Sequence, residues 1–311
     1  MTSRSERGQA AVLTIVALTA MLGMAALVLD LGSWFRAQRA TQAAADAAAL
    51  AAAQALPHSP SEAHALALEY LGKNGGGDAT ITFNARPTPN DTVSVRVHRP
   101  APGIFARLFG VDSVTVGGKA AARASGLEEA RWVAPIVVNV RHPMLNCSQA
   151  AGRPVPCFGQ QTQLTLVNLH EPGSRDAAGS FGLINLDRSS GGNIGASTLA
   201  AWVTRGFDQF MELGEYDAAP SSNFNNSQFK SALGVRVGDE LLFPIYRTIV
   251  GPGSGAKYDI VGWVGFRVSD FDASGSSGTL RGAFVRVVWE GIESRTGDRG
   301  DYGARAIRLV E

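Results

Sequence analysis

The pattern of apolar positions begins with one long uninterrupted segment. Residues 10–29 read AAVLTIVALTAMLGMAALVL, twenty residues without a charge. As a helix this run is about 30 Å long, the thickness of the hydrocarbon core of a bilayer. A buried core helix or a cleaved signal peptide would also be apolar, but a signal peptide usually has a shorter apolar stretch and a small-residue cleavage site. We therefore predict a retained, single-span membrane anchor.

The next segment is dominated by alanine, with ten alanines in residues 41–56 (TQAAADAAALAAAQAL). Alanine has the highest helix propensity, so we predict one continuous helix from about Gln9 to Leu56. Polar residues share one face of it: Arg36, Arg39, Gln42 and Asp46. The methyl-covered surface fits either a rigid spacer or a helix-packing face. In the second case we predict contact with a partner helix through Ala44, Ala48 and Ala52.

Residues 58–125 show a shorter mixed pattern. We predict a helix at Glu62–Leu71, a helical turn at Ile104–Leu108, and strands at Ala79–Phe83, Thr92–His98 and Ser113–Ala124. Together they form a small α+β unit next to the membrane. Residues 126–131 (GLEEAR) are predicted to be a joint.

From Trp132 onwards, short β-branched and aromatic runs alternate with turns rich in Gly, Ser, Pro and Asn. The predicted strands are PIVVNV, TQLTLVNL, FGLINL, DELLFPIY, DIVGWVGFRV and GAFVRVVW, followed by a tail, and one helix is predicted near Gly195–Met211. This pattern is typical of a mainly antiparallel sandwich or barrel. The predicted fold class is therefore α+β, with an N-terminal transmembrane helix and a β-rich domain at residues 132–311.

Charge excludes one class of partner and leaves the orientation open. The 28 basic and 27 acidic side chains nearly cancel, and neither residues 1–131 nor residues 132–311 have a basic excess. Nucleic acid is therefore not an expected partner. Arg4 and Arg7 precede the apolar run, while Arg36 and Arg39 follow it, so the positive-inside rule gives a tie.

The sequence contains few candidates for catalysis. It has no Gly-x-Ser-x-Gly, His-Glu-x-x-His or Gly-Lys-Ser/Thr motif. His142 and His170 are isolated in sequence, and Cys147 and Cys157 lack zinc-site spacing. Asp270 and Asp272 are interpreted as solvated residues of a turn. We predict no enzymatic activity, no cofactor, no metal and no small-molecule ligand.

The first 50 residues resemble a known family. The shared elements are Arg7-Gly8-Gln9 before the apolar run, Asp30-Leu31-Gly32 at its end, and the block from Gln42 through Asp46 to Ala53. These features resemble the Tad/Flp pilus-assembly proteins of the TadG-like type, and the resemblance extends more loosely to about residue 125. It implies a bacterial envelope protein with its N-terminus in the cytoplasm and its bulk outside.

Two features of related proteins are not expected in this chain. Pilin-like subunits are cut after a glycine and have a glutamate five residues later, whereas Leu13 stands five residues after Gly8. Some TadG-like proteins contain a metal site that begins Asp-x-Ser-x-Ser, a motif present here at residues 272–276. Because only 35 residues follow it, we interpret the segment as a Gly/Ser hairpin loop.

The redox state expected of the two cysteines depends on the orientation of the chain in the membrane. Cys147 and Cys157 flank nine residues that include Gly152, Pro154 and Pro156, a segment suited to turning back on itself. If this half lies outside the cytoplasm, we predict a disulfide, which stabilises the domain by about 3 kcal/mol in the chain-entropy model.

Two hypotheses of function follow. The first is a non-enzymatic membrane component of a pilus-assembly or secretion machine, whose partners are the lipid bilayer and other pilus-assembly membrane proteins. The second is a membrane-tethered surface-binding protein or hydrolase with a similar anchor. In both, the chain is a single-pass protein of the cell membrane.

Overall fold

The structure, a computed structural model, describes residues 3–86, 88–150, 153–175, 177–188, 193–274, 278–294 and 302–310. The chain divides into two compact units. We call them the anchor unit (Met1–Ala124 with Ile307–Glu311) and the β-rich unit (Ser125–Ala306). The fold class is α+β, as predicted.

The helices are α1 (Ser3–Ala53), α2 (Pro60–Lys73), α3 (Pro172–Arg175), α4 (Ala196–Arg205) and α5 (Ser227–Val235). The strands up to the middle of the chain are β1 (Asp78–Asn84), β2 (Thr92–Pro102), β3 (Ser113–Ala130), β4 (Ile136–Asn139), β5 (Ser148–Ala150), β6 (Arg153–Val155), β7 (Gln161–Leu166) and β8 (Ser180–Leu183). The later strands are β9 (Met211–Glu212), β10 (Gly214–Asp217), β11 (Glu240–Val250), β12 (Lys257–Asp272), β13 (Thr279–Val285), β14 (Val287–Val288), β15 (Gly291–Glu293) and β16 (Ala304–Val310).

Helix α1 is the longest element, with 51 residues and a length of about 76 Å. The predicted continuous helix is confirmed, although it ends at Ala53 and not at Leu56. The amides of Gln54, Ala55 and Leu56 bond to carbonyls three residues earlier, so the last turn tightens. Pro57 follows at once and disfavours helical backbone in the residue before it.

The anchor unit packs α1 and α2 on a small antiparallel sheet. Strand β2 lies between β1 and β3, with Thr82 opposite Ser94 and Val95 opposite Ala120. The core is made almost entirely of alanines and valines. They are Ala44, Ala45, Ala48, Ala49, Ala52 and Ala53 of α1, Ala63 and Ala67 of α2, Val93, Val95 and Val97 of β2, and Ala120, Ala122 and Ala124 of β3.

The β-rich unit is built on a seven-stranded mixed sheet in which the pairing of β12 with β13 closes six of the strands into a ring. Its strand order is β10-β12-β11-β4-β8-β7-β13, and β12 also pairs with β13. Most neighbours are antiparallel, as predicted, but β4–β11 and β7–β8 are parallel. Parallel pairing is possible because long connections separate the partner strands in sequence.

The core of the β-rich unit is aromatic. Phe266 stacks on Phe243 with ring centroids 5.2 Å apart, and its ring also meets Phe284 edge to face at 5.2 Å. Phe181 and Phe224 meet in the same way at 5.0 Å. Phenylalanine rings from four strands of the sheet and from residues 221–225 therefore belong to one core.

Two predictions for helices in this half need correction. The helix predicted at Gly195–Met211 ends at Arg205, because Gly206 takes a left-handed conformation (φ +80°) and β9 begins at Met211. Helix α5 was not predicted. Its cap, Asn226, accepts a hydrogen bond from the Gln228 amide, and its nine residues are too short for a clear periodic pattern.

The segments predicted as a joint and a tail both contain strands. Residues 126–130 continue β3 and pair with β9 and β15, so they are strand and not linker. The tail contains β16, and its Ile307 packs against the alanine and valine core of the anchor unit. These pairings join residues more than 80 positions apart, which local patterns do not reveal.

Candidate functional site

The first half of α1 is exposed along nearly its whole apolar run. Leu13 and Val28 are 69% and 67% exposed, and none of the most apolar window of the helix is buried in the chain. The hydroxyls of Thr14 and Thr19 donate to the carbonyls of Ala10 and Ile15, both at 2.8 Å. Their polarity is thus satisfied within the helix, as in a membrane. One N-terminal apolar helix fits a single-pass membrane anchor.

Asp30, the first residue after the apolar run, accepts hydrogen bonds from the backbone of a distant loop. Its Oδ1 accepts the amide of Ile104 at 2.6 Å, its Oδ2 accepts that of Ala106 at 2.6 Å, and both oxygens receive that of Phe105 at 3.1 Å. The residue is only 3% exposed. A carboxylate that accepts several backbone amides is held strongly, so Asp30 fixes this loop against α1.

Two glutamines, one turn apart, bind the backbone of β3. Gln42 accepts from the Lys119 amide at 3.0 Å and donates to its carbonyl at 2.8 Å. Gln38 makes the same pair of bonds with Gly117, at 3.3 Å and 2.5 Å. A carboxamide offers a donor and an acceptor, as a peptide group does, so the two side chains serve this strand as a neighbouring strand would. Asp46 accepts a further bond from Gln42 at 2.8 Å.

The backbones of α1 and β3 approach each other closely at Gly118. A Cβ atom on this residue would lie 2.6 Å from the Thr41 carbonyl oxygen and 2.9 Å from the Gln42 Cα. Real Cβ atoms do not tolerate such contacts with backbone. Glycine is therefore required here, and the alanines that follow Thr41 continue the close approach.

The alanine face is a helix-packing face, and the helix that packs on it is α2 of the same unit and not a helix of another protein. Ala44, Ala48 and Ala52 are completely buried, and α2 and the sheet of their own unit cover them. This half of α1 is therefore the central helix of a folded core and not a free-standing spacer. Alanine permits helix α2 and the sheet to pack against α1 at short distance.

The structure describes the surroundings of Gly32 but only the backbone of the motif residues Arg7, Gly8 and Gln9. Gly32 has open space around it, so no contact within the chain requires a glycine there. Arg7, Gly8 and Gln9 lie in the helical backbone, but their side chains lie outside the described part. Neither Gln38 nor Gly118 was predicted; the i, i+4 spacing of Gln38 and Gln42 was the available signal.

Cys147 and Cys157 form the predicted disulfide, with Cα atoms 5.7 Å apart. The segment between them contains β5 and β6, which pair in antiparallel fashion. The Cys157 amide donates to the Met144 carbonyl at 2.8 Å. The bridge therefore closes the base of a short hairpin in the β-rich unit.

The other singled-out polar residues have local partners. Asp270 forms an ion pair with Arg281 at 2.7 Å, and Asp272 accepts the Ser274 hydroxyl at 2.8 Å. Residues 275–277, which include the end of the Asp-x-Ser-x-Ser motif, lie outside the described part. Within the described ranges, no three His, Cys, Asp or Glu side chains are grouped as metal ligands.

The two histidines occupy different settings. His142 is buried, and its Nδ1 accepts the Met144 amide at 3.1 Å. Burial lowers its pKa, against an opposing backbone hydrogen bond at Gln163. His170 lies beside Gly253, where a Cβ atom would meet the imidazole at 2.9 Å. Both rings are thus engaged in local structure.

These features fit a single-pass membrane protein whose apolar helix continues into the central helix of a folded unit. Residues 8–55 match the Tad family, described as "Putative Flp pilus-assembly TadE/G-like". The resemblance seen in the sequence is thereby confirmed for α1, and it supports a pilus-related role. No curated protein and no solved structure matches the chain.

Proposed function

We propose that this chain is a non-enzymatic component of a Tad/Flp pilus assembly or secretion system, anchored in the membrane by α1. The observation that carries the proposal is the family match at residues 8–55, which coincides with the exposed apolar run and its folded continuation. The chain acts through protein–protein contacts with other membrane proteins of the machine. The buried alanine face takes no part in these contacts.

The proposed orientation has the N-terminus in the cytoplasm and the β-rich unit outside. Two observations support it. The family resemblance implies this topology, and a disulfide such as Cys147–Cys157 persists in oxidising compartments. The arginines on the two sides of the apolar run do not oppose it, because their numbers are equal.

The pilus role is tested by deleting the gene and restoring it in variant forms. We expect deletion to abolish surface pili and the full chain to restore them. Leu18→Lys with Leu22→Lys should fail to restore them, because each charge costs about 2.5–3.5 kcal/mol at the centre of a spanning helix. Val235→Lys with Val237→Lys, at exposed positions of the β-rich unit, is the matched control. Normal piliation in the deletion strain would refute the role.

The orientation is tested separately in spheroplasts that produce the full chain. External protease should remove a C-terminal tag and leave an N-terminal tag intact. Intact-mass measurement should show no alkylation of Cys147 and Cys157 until reductant is added. Free alkylation without reductant, together with a protected C-terminal tag, would place the β-rich unit in the cytoplasm.

As part of the proposed non-enzymatic role, we predict that no metal ion binds at Asp272. Titration of the purified full chain with magnesium, manganese and calcium should give no isotherm that differs from that of Asp272→Ala. A one-to-one isotherm that Asp272→Ala abolishes would contradict it.

A further inference from the structure

The anchor unit carries an unusually exposed apolar loop. In residues 103–112, which we call the apolar loop, Leu108 and Phe109 are 81% and 83% exposed, and Ile104 is 59% exposed. Large apolar side chains grouped in this way mark an interaction surface. Two features of the backbone fix the conformation of the loop. The Gly103 amide donates to the Asp112 carbonyl at 2.9 Å, and Gly110 makes a left-handed turn (φ +83°).

The position of the apolar loop along α1 is fixed. Its amides at residues 104–106 bind the carboxylate of Asp30, the residue that directly follows the apolar run. One turn further on, the Trp34 indole donates to the Pro102 carbonyl at 3.3 Å. The loop therefore lies at the level where the exposed part of α1 ends, and that level is the edge of the bilayer if residues 10–29 span it.

The side chains around this level match a lipid interface. Phe35 is exposed and Trp34 is half-buried, and aromatic residues are enriched where a membrane protein meets the headgroups. Arg36, Arg39 and Arg107 are exposed and form no ion pair with any described residue. Cationic side chains here suit the phosphates of anionic lipids. Asp112, at the end that returns to β3, is the exposed carboxylate of the loop.

We propose that the apolar loop inserts into the headgroup region of the bilayer that α1 crosses. Ile104, Leu108 and Phe109 reach the acyl-chain boundary, and Arg107 contacts lipid phosphate. The occupant is lipid because the loop continues the exposed apolar surface of α1 at the same level. The anchor unit then has two membrane contacts, which fix its tilt and rotation. The proposal rests on the anchor and not on the pilus role.

The test uses the full chain in vesicles of phosphatidylethanolamine and phosphatidylglycerol. Phe109→Cys carries an environment-sensitive fluorophore, attached without reductant so that the native disulfide stays closed. Leu68→Cys on α2 is the matched control, since α2 packs on the part of α1 that starts at Ala44, about 20 Å beyond Asp30. We expect lipids with a quencher on the acyl chain to quench the label at 109 several-fold more than the label at 68. Aqueous iodide should show the reverse order.

Three outcomes would overturn the proposal. Equal iodide quenching at 109 and 68 would place the loop in water. Protection at 109 from both iodide and lipid quencher would indicate a protein partner or a second copy of the chain. Failure of the protein to float with the vesicles would remove the anchor, and the proposed function with it. Flotation with normal piliation in the deletion strain would refute only the pilus role.

A second variant tests the apolar side chains themselves. Leu108→Ser with Phe109→Ser should abolish the lipid quenching of a label at Ile104→Cys, while the protein still floats. Val235→Ser with Val237→Ser removes comparable exposed apolar groups from the β-rich unit and should leave that quenching unchanged. Unchanged quenching in the loop variant would contradict insertion by these side chains.

Discussion

The two units of this protein are built from cores of opposite kinds. In the anchor unit, alanines and valines let helices and strands approach until backbone meets backbone, as at Gly118 and Thr41. In the β-rich unit, stacked and edge-to-face phenylalanine rings pack together in the core. The comparison teaches that one core is sensitive to added volume and the other to removed volume.

The anchor unit compensates for its small side chains with polar contacts. A buried alanine removes little apolar area from water, so each contributes little hydrophobic stabilisation. Asp30, Gln38 and Gln42 add eight described hydrogen bonds from α1 to the backbone of β3 and the apolar loop, two of which share the Phe105 amide. Close approach of the backbones and hydrogen bonding therefore hold this unit together more than the volume of its side chains does.

Removing volume from the aromatic core should have the largest effect. Phe243→Ala leaves a cavity beside Phe266 and should lower the free energy of unfolding of the β-rich unit by about 3–5 kcal/mol. Urea unfolding followed by tryptophan fluorescence measures it, because Trp132, Trp202, Trp263 and Trp289 all lie in this unit. Phe210→Ala, at a half-exposed position, is the control. Equal midpoints for the two variants would mean that the ring is dispensable.

Adding volume to the alanine core should be the next largest effect. Ala48→Leu must displace α2 or the sheet, since Ala48 is fully buried, and should destabilise the anchor unit by about 1–3 kcal/mol. Ala43→Leu adds the same atoms on the exposed side of α1 and should be nearly neutral. Hydrogen exchange of the α2 amides in the full chain reports the difference. Unchanged protection in Ala48→Leu would show that this core has spare room.

Gly118→Ala tests the close approach with a single methyl group. Its Cβ would collide with the Thr41 carbonyl, so we expect a loss of about 1–3 kcal/mol and faster exchange of β3 amides. The control is Gly72→Ala, which has open space around it in α2 and should change stability by at most about 1 kcal/mol, in the favourable direction. Similar behaviour of the two variants would contradict the contact between the backbones of α1 and β3.

The smallest expected effect is a pH dependence confined to the β-rich unit. Burial lowers the pKa of His142, so the folded state binds its proton less readily than the unfolded state does. This contribution to stability is complete above the unfolded pKa of about 6.5 and is lost as the pH falls through the lower, folded pKa. His142→Asn keeps a side-chain acceptor for the Met144 amide but does not titrate. The wild-type urea midpoint should therefore fall more on acidification than that of the variant, and parallel curves would refute the role of His142.

The sequence by itself determined the features that depend on neighbouring residues. The unbroken apolar and alanine run predicted α1, and the alternating residues 92–98 predicted β2. Two cysteines separated by a glycine- and proline-rich segment predicted the disulfide. These patterns are readable because hydrogen bonds within a helix, side-chain alternation along a strand and closure of a short loop are local.

Only the tertiary structure decided what covers each surface. The alanine face looks the same in sequence whether another protein or the chain's own α2 packs on it, and the structure shows the latter. Asp30 belongs to a recognisable motif, but its contact with Ile104 joins residues 74 positions apart. The return of Ile307 to the alanine core is equally remote from any local signal. Such pairings depend on the relative placement of whole elements, and that placement is set by packing and backbone hydrogen bonding together and not by the residues next to each position.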